Sequence, residues 1–488
     1  MKLNAATLSS LPEAVARPAY DRTKLKPGIV HIGCGNFHRA HQAVYLDDLF
    51  AMGEGLEFAL LGAGVREGDA KMRAILEGQD WLSSVVELEP GARTARVIGA
   101  MTGFVPVEPG NGGLIAAMAA PETRIVSLTV TEGGYYIDPM TGTFSPAHPD
   151  IQRDAANPDR PDTAFGAIIA ALKLRKTKGL QPFTVMCCDN VPHNGHVTRD
   201  AVVGLCRLSD PALADWIETN VAFPNSMVDR ITPATGDRER AMIRSFGLED
   251  DAPVTCEPFR QWVMEDNFPA GRPALEKVGV TFTDRVDLFE TMKIRILNGG
   301  HAIIAYPGGL LGIELVHEAM ADGQIRAFLD KILTTEIIPI LPAVPGIKLE
   351  DYKSLIISRF SNPEVADTVR RLCLDGSNRQ PKFIVPSVRD GLAVGRSING
   401  LALLSALWCR YCFGRDENGE TIAPNDPNWD HLSRQSVAAK DNPSAWLKMT
   451  EVYGDLGENP VFAAAFTSAL TAVWAKGTRS VLADYLAG

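Results

Sequence analysis

Residues 29–37 read Ile29-Val-His-Ile-Gly33-Cys-Gly35-Asn36-Phe37. A short apolar run stops at two glycines one residue apart, and a helix-like stretch follows at once. Residues 28–33 are expected to form a strand and residues 37–52 a helix. Strand, glycine-rich turn and helix together make the setting of a dinucleotide site. Gly33 permits the tight turn, Gly35 lets a pyrophosphate approach the backbone, and the helix N-terminus meets the negative charge. The full fingerprint places a third glycine at 38, where this chain has His38. Alone, the loop fits either nucleotide binding or a plain strand–helix turn. Arg39 is expected to stay near the phosphates. His38 and His41 are expected to be surface or interface polarity.

Working outward, residues 57–62 (EFALLG) read as a second strand, and residues 93–98 pair as a hairpin with 83–88. Residues 123–130 (TRIVSLTV) and 182–188 (PFTVMCC) are further β-rich runs bounded by Pro, Gly or Asp. Strands alternating with helices predict a mostly parallel sheet covered on both faces. The second strand runs into Gly62-Ala-Gly64-Val-Arg66-Glu67-Gly68-Asp69. An acid there accepts from ribose hydroxyls and repels a 2′-phosphate, whereas an arginine attracts one. Asp69 and Glu67 favour NAD and Arg66 favours NADP, so the balance leans to NAD.

Past about residue 285 the texture changes. Residues 286–306, 321–336, 351–358, 362–374, 401–413, 443–453 and 460–475 read as helices. Several open with Asp, Asn or an early Pro, as helix starts do. The expected fold is therefore an α/β Rossmann-like N-terminal domain with a mainly α-helical C-terminal domain. Residues 1–285 would bind the dinucleotide, and residues 286–488 would carry substrate and catalysis. Residues 416–430 are rich in Asn, Asp and Pro and read as a surface loop.

Bulk composition narrows the function classes. The chain has 488 residues, 45% of them hydrophobic and 22% charged, with a net charge of −11. That charge argues against nucleic acid or an anionic membrane as partner. No secretory h-region opens the chain, and no apolar run reaches the ~18 residues of a membrane span. The eight cysteines are scattered, as expected of reduced core residues in a cytoplasmic protein. Cys409-Arg-Tyr-Cys412 is C-x-x-C in form, but it lies in an apolar helical run without a second pair or a nearby histidine. It reads as core packing rather than a metal site.

A second stretch carries chemistry: Lys293-Ile-Arg-Ile-Leu-Asn298-Gly-Gly-His301. An ideal α-helix would place its amine, amide and imidazole within an arc of about 140°, the lysine and histidine about 12 Å apart along the axis. An extended polyol lying alongside would touch all three. The plainer alternative is a helix with two polar residues at a domain seam and a solvated lysine. Residues 186–195 (MCCDNVPHNG) put four polar side chains after a strand, where α/β proteins place chemistry. Residues 223–233 and 371–379 are similarly dense in polar groups, although each would also serve as a capped turn.

Taken in order, several blocks resemble the mannitol dehydrogenase family, the long-chain polyol-specific dehydrogenases. They are residues 29–41 (IVHIGCGNFHRAH), 127–136 (SLTVTEGGYY), 184–199 (TVMCCDNVPHNGHVTR), 223–233 (FPNSMVDRITP), 256–263 (CEPFRQWV), 292–301 (MKIRILNGGH) and 375–386 (DGSNRQPKFIVP). The resemblance spans essentially the whole chain. It implies that Lys293 is a general base and that Asn190 and Asn298 bind the reacting oxygen. It implies that His301 orients substrate and that Glu290 passes protons between the lysine and solvent. Asp229 and Arg371 match substrate-site residues. Arg379 stands where the family more often carries lysine, which alters the grip on the far hydroxyls. On the cofactor side it implies Asp69 at the adenosine ribose, and the candidates beside it are Gly33, Gly35, Asn36, Phe37, Arg39 and Thr131. Gly68 replaces a second acid sometimes found beside Asp69, which weakens strict exclusion of NADP.

The chemistry is consistent with these residue types. Oxidising an alcohol removes a hydroxyl proton as the hydride leaves. A lysine at its usual pKa of ~10.4 is charged and cannot take that proton. Burial lowers the pKa and frees the amine, and amide donors stabilise the developing alkoxide. No metal is required. The expectation is an NAD-dependent oxidation of a polyol to its 2-ketose, D-mannitol to D-fructose foremost, by a monomer. The alternatives are a fructuronate or tagaturonate reductase, an arabinitol or sorbitol dehydrogenase, and an NAD(H)-binding sensor without turnover.

Overall fold

The computed structural model describes residues 1–138 and 141–488. The chain divides into two compact units, Met1–Val286 and Asp287–Gly488.

In the first unit, five parallel strands form a sheet in the order Met101–Phe104, Ala59–Ala63, Pro27–Ile32, Ile125–Leu128, Thr184–Cys187. Counted from Pro27–Ile32 the order is 3-2-1-4-5, that of a Rossmann fold. The winding reverses between Pro27–Ile32 and Ile125–Leu128, and ligands bind at the carboxyl ends of strands flanking such a reversal. The strands are apolar on both faces because both are covered. Val30, Ile32, Val126 and Leu128 point to one side and pack with Phe165, Ile168 and Leu172 of helix Ala164–Thr177. Ile29, Leu60 and Ile125 point to the other and pack with Tyr45, Leu46 and Leu49 of helix Gln42–Ala51. The expected hairpin is present, Ser83–Glu89 pairing antiparallel with Ala92–Ile98 in a four-stranded sheet. A third sheet carries Ser226–Asp229, paired with Gln261–Met264.

The helix after the glycine loop is broken. Asn36–Ala40 and Gln42–Ala51 meet at His41, whose φ −121° and ψ −88° interrupt the ladder.

Among the described residues the second unit has helices and isolated bridges but no strand. Its longest element, Pro460–Ala487, starts as the sequence predicts. Asn459 accepts from the N–H groups of Val461 and Phe462, and proline takes the first position. It runs past residue 475 through a kink at Gly477, where φ is +78°. Two expectations fail here. The helix over 362–374 shrinks to Val369–Leu372, because Ala366 takes a positive φ and Thr368 caps a fresh start by accepting from Arg371 N–H. Helix Trp429–Asp441 begins inside the expected 416–430 loop and lies largely beyond it. Its inward positions include Ser436 and Ala439, whose small side chains give no apolar period to read.

Candidate active site

The glycine loop closes the first strand. Gly33 has φ +99°, and a Cβ there would sit 2.1 Å from the carbonyl oxygen of Thr129. Only glycine fits, on conformation and on space alike. Gly35 is different: φ is −74°, and an added Cβ would meet nothing within 4 Å. Its missing side chain serves no packing purpose within the protein and leaves a cradle open for a ligand.

Behind the loop lies a buried polar cluster. His31 Nε2 is 3.1 Å from the carbonyl oxygen of Gly33 and 2.9 Å from Thr129 Oγ1. A carbonyl only accepts, so Nε2 carries the hydrogen. Burial holds the His31 pKa down to about 3, so the ring is neutral and Nδ1 accepts from Ser127 Oγ at 2.7 Å. His38 stacks on His31 with ring centroids 3.5 Å apart. Neither His38 nitrogen has a hydrogen-bond partner among the described residues.

His38 and His41 are thus not surface polarity: they are 1% and 0% exposed. The kink at His41 turns both rings inward, and His41 Nε2 bonds the Gln261 carbonyl at 3.0 Å. Arg39 is corrected likewise. It does not reach out toward phosphates but is buried, donating to the Ala252 carbonyl and to Asn36 Oδ1. Asn36 Nδ2 in turn donates to Pro233 O and Thr235 Oγ1. Both side chains brace the loop, leaving its main chain to face a ligand. Phe37 stacks against His41, centroids 4.8 Å apart.

The other strand ends of the sheet carry further polar groups. Asp69 Oδ2 accepts from the N–H groups of Val65 (3.0 Å) and Arg66 (2.9 Å), fixing its carboxylate in the turn after Ala59–Ala63. A Cβ at Gly64 would fall 2.2 Å from that side chain, so this glycine makes room for Asp69. Thr131 follows Ile125–Leu128 with φ +69° and ψ 160°. Asp189 follows Thr184–Cys187 and bonds across to it (Thr131 N, 3.1 Å), and exposed Asn190 comes next. Asp229 is buried at the end of its own strand.

The second unit carries the lysine-centred cluster. The sequence predicts one α-helix over 286–306, but the structure shows three pieces. Val286–Met292 and Gly299–Leu310 are α-helical, and Lys293–Asn298 between them is a π-helix. Gly299 N–H reaches back five residues to Ile294 O. An i→i+5 turn puts residues five apart one above the other, so Lys293 and Asn298 share a face. The arc of about 140° expected of an ideal α-helix does not apply. Lys293 and Glu290 are buried, 6% and 7% exposed. Asn298 Oδ1 is buried without a partner among the described residues. Such an orphan costs on the order of 1–3 kcal/mol unless a ligand satisfies it.

His301 lies one turn on, half-buried and stacked on Phe360. Burial, reinforced by Arg371, Arg359, Arg379 and Lys293, holds its pKa well below the usual histidine value. The fold thus gathers cationic side chains from 293 to 379 around one imidazole whose protonation they disfavour. Arg371 bonds both carboxylate oxygens of Asp367, with Nε at 2.5 Å. Arg379 Nη1 turns back to the carbonyls of Arg371 (3.5 Å) and Leu372 (3.1 Å). Arg359 and Phe360 were missed in the sequence. Among the described residues no three His, Cys, Asp or Glu side chains gather as a metal site would, and no helix is long and apolar enough to cross a membrane.

Residues 27–277 match the model of the mannitol dehydrogenase Rossmann domain, and residues 285–474 that of the mannitol dehydrogenase C-terminal domain. The chain belongs to the mannitol dehydrogenase family. That membership makes it an oxidoreductase, as the sequence blocks implied. A mannitol 2-dehydrogenase of Cereibacter sphaeroides is 64% identical over 98% of this chain and all of the relative. One of Aspergillus clavatus is 40% identical over 100% of this chain and 99% of its own. Among solved structures, the Pseudomonas fluorescens mannitol 2-dehydrogenase in ternary complex with NAD and D-mannitol is 43% identical, covers 100% of both chains and superposes with a TM-score of 0.89. A D-sorbitol dehydrogenase in substrate-free form is 36% identical, covers 99% of this chain and 100% of its own, and reaches 0.90.

Proposed function

We propose that the chain is an NAD-dependent polyol dehydrogenase that oxidises D-mannitol to D-fructose with Lys293 as general base and without a metal. The observation that carries this is the π-helical turn. It puts the buried Lys293 on the same helix face as Asn298, whose amide oxygen lacks a partner among the described residues, in a unit that also carries the His301 imidazole.

The residues fit the cofactor. Gly35 leaves a cradle that a side chain would fill, Gly33 shapes it, and the main chain of Asn36 and Phe37 presents N–H groups to a pyrophosphate. Arg39 serves by bracing that loop. Thr131 borders the switch point, and Asp69 offers Oδ1 to ribose hydroxyls. Its charge disfavours a 2′-phosphate, so NADP is the poorer cofactor. When bound, the nicotinamide supplies the hydride acceptor. Lys293 takes the hydroxyl proton, and Glu290 relays it to solvent. Asn298 and Asn190 bind the reacting oxygen, and their donors are strongest for the alkoxide. His301, whose protonation is disfavoured, orients the substrate. Asp229, Arg371 and Arg379 bind the remaining hydroxyls.

A neutral polyol suits this set better than a hexuronate. A carboxylate wants a free guanidinium fork, and Arg371 spends its fork on Asp367 while Arg379 spends donors on carbonyls. We place the enzyme in the cytoplasm as a monomer, to be checked by fractionation and sedimentation.

Initial rates on mannitol, sorbitol, arabinitol and, in reverse, fructose and fructuronate, with NAD and NADP in parallel, test the substrate and the cofactor. Turnover of fructuronate but not fructose would move the assignment to a hexuronate reductase. NADH binding without turnover of any substrate would leave a sensor. Lys293→Ala should lower polyol oxidation by about 10⁴-fold and still bind NADH. Near-normal turnover would remove Lys293 from the chemistry.

A further inference from the structure

Asp189 is spent on its neighbours rather than on any ligand, and the main chain it holds is unusual. Its Oδ2 accepts from Val130 N–H at 2.8 Å and from the Tyr135 hydroxyl at 2.6 Å, and its Oδ1 accepts from Thr131 N–H at 3.1 Å. Thr131 has φ +69° and ψ 160°, a region populated almost solely by glycine. A threonine stays there only where its surroundings over-determine the backbone. Three hydrogen bonds to one carboxylate, from consecutive N–H groups and a tyrosine, supply that constraint.

The strain lies where a ligand would feel it. Thr129, two residues earlier, donates through Oγ1 to the Gly33 carbonyl at 2.5 Å, and its own carbonyl is what a Cβ at Gly33 would strike. The 129–131 segment is therefore the floor on which the glycine loop rests, and Asp189 fixes its far end. We infer that Asp189 is a positioning residue for dinucleotide binding: it holds Val130 and Thr131 in a strained shape that sets the switch-point lip and the seat of Gly33. The inference rests on the proposed cofactor reading.

A double-mutant cycle tests it, with NADH dissociation constants and the NAD KM as readouts. Asp189→Asn keeps the shape but weakens acceptance from two N–H groups. It should loosen NADH binding and raise the NAD KM by about tenfold, with kcat at saturating NAD changed less than about threefold. In a Thr131→Gly background the same Asp189→Asn step should cost less than about threefold, because glycine holds that φ unaided. A merely structural Asp189 would lower the active fraction, and hence kcat, equally in both backgrounds and leave the KM alone. That result would overturn the inference. If Asp189→Asn does not fold, Tyr135→Phe removes one bond to the same carboxylate. It should weaken NADH binding about threefold, and unchanged binding would overturn the inference. Wild-type protein that binds no NADH would sink the cofactor reading and the inference together. Wild-type binding with indifferent variants sinks the inference alone.

Discussion

The imidazole of His301 lies against the ring of Phe360, centroids 4.4 Å apart and planes 22° from parallel. Phe360 shields it from water, and Arg371, Arg359, Arg379 and Lys293 oppose a proton on it. His301 is therefore expected to resist protonation and not to be the group whose protonation ends activity in acid. Replacing it by Gln should lower kcat/KM for the polyol by about tenfold or more, yet leave the acid limb of the pH–rate profile within about half a unit of wild type. Loss of that limb in the variant would assign the ionisation to His301 after all.

Gly33 and Gly35 should respond oppositely to one methyl group. Gly33→Ala places a Cβ against the Thr129 carbonyl at a φ that alanine avoids. It should destabilise the protein by at least about 1–3 kcal/mol, seen as a lower thermal midpoint. Gly35→Ala has room and an ordinary φ, so the midpoint should stay within about 1 °C of wild type. NADH affinity should nevertheless fall by about tenfold, because the methyl fills the cradle. Unchanged affinity in Gly35→Ala would show that the pyrophosphate lies elsewhere.

Stability should fall as pH drops below the ordinary histidine range. His31 and His41 are buried with pKa values held down to about 3, and His38 is held well below normal by burial and by its neighbours His31 and Arg39. Between pH 6.5 and those folded values the unfolded chain binds these protons and the native chain does not. Stability is thus fully present above about pH 6.5 and is lost as pH falls. At pH 5 His31 and His41 should each have cost about 2 kcal/mol. Thermal midpoints at pH 7.5 and 5.0 check this, and His41→Gln should shrink the difference. A flat profile would mean that the rings are hydrated or already charged.

Chelation gives the fourth expectation. EDTA or a stronger chelator should leave polyol oxidation unchanged, because the proposed base is an amine. Inactivation that zinc reverses would contradict the mechanism.

The architecture was legible where residue type and backbone demand coincide. Gly33 ends an apolar run at a point where only glycine fits, and the alternation that follows leaves little choice but a parallel sheet. Asn459-Pro460 announces its helix in the same way. Other features have no such signature. The π-turn over Lys293–Asn298 uses the same apolar residues as an α-helix and differs only in which carbonyl each N–H selects. His38 and His41 read as surface residues because imidazoles usually are, and one kink in φ and ψ at His41 buries them. Arg371 is visible as a guanidinium, but its commitment to Asp367 is settled by the helix start at Val369, which the sequence had placed seven residues earlier.

The swollen turn at 293–298 also constrains how this stretch can change. Lys293 and Asn298 share a face because of how many residues separate them, not which ones. Losing one residue there would let the ladder close to i→i+4 bonds and leave the buried flank of Gly299–Leu310 facing its core, so the turn behaves as a single-residue insertion in an otherwise ordinary helix.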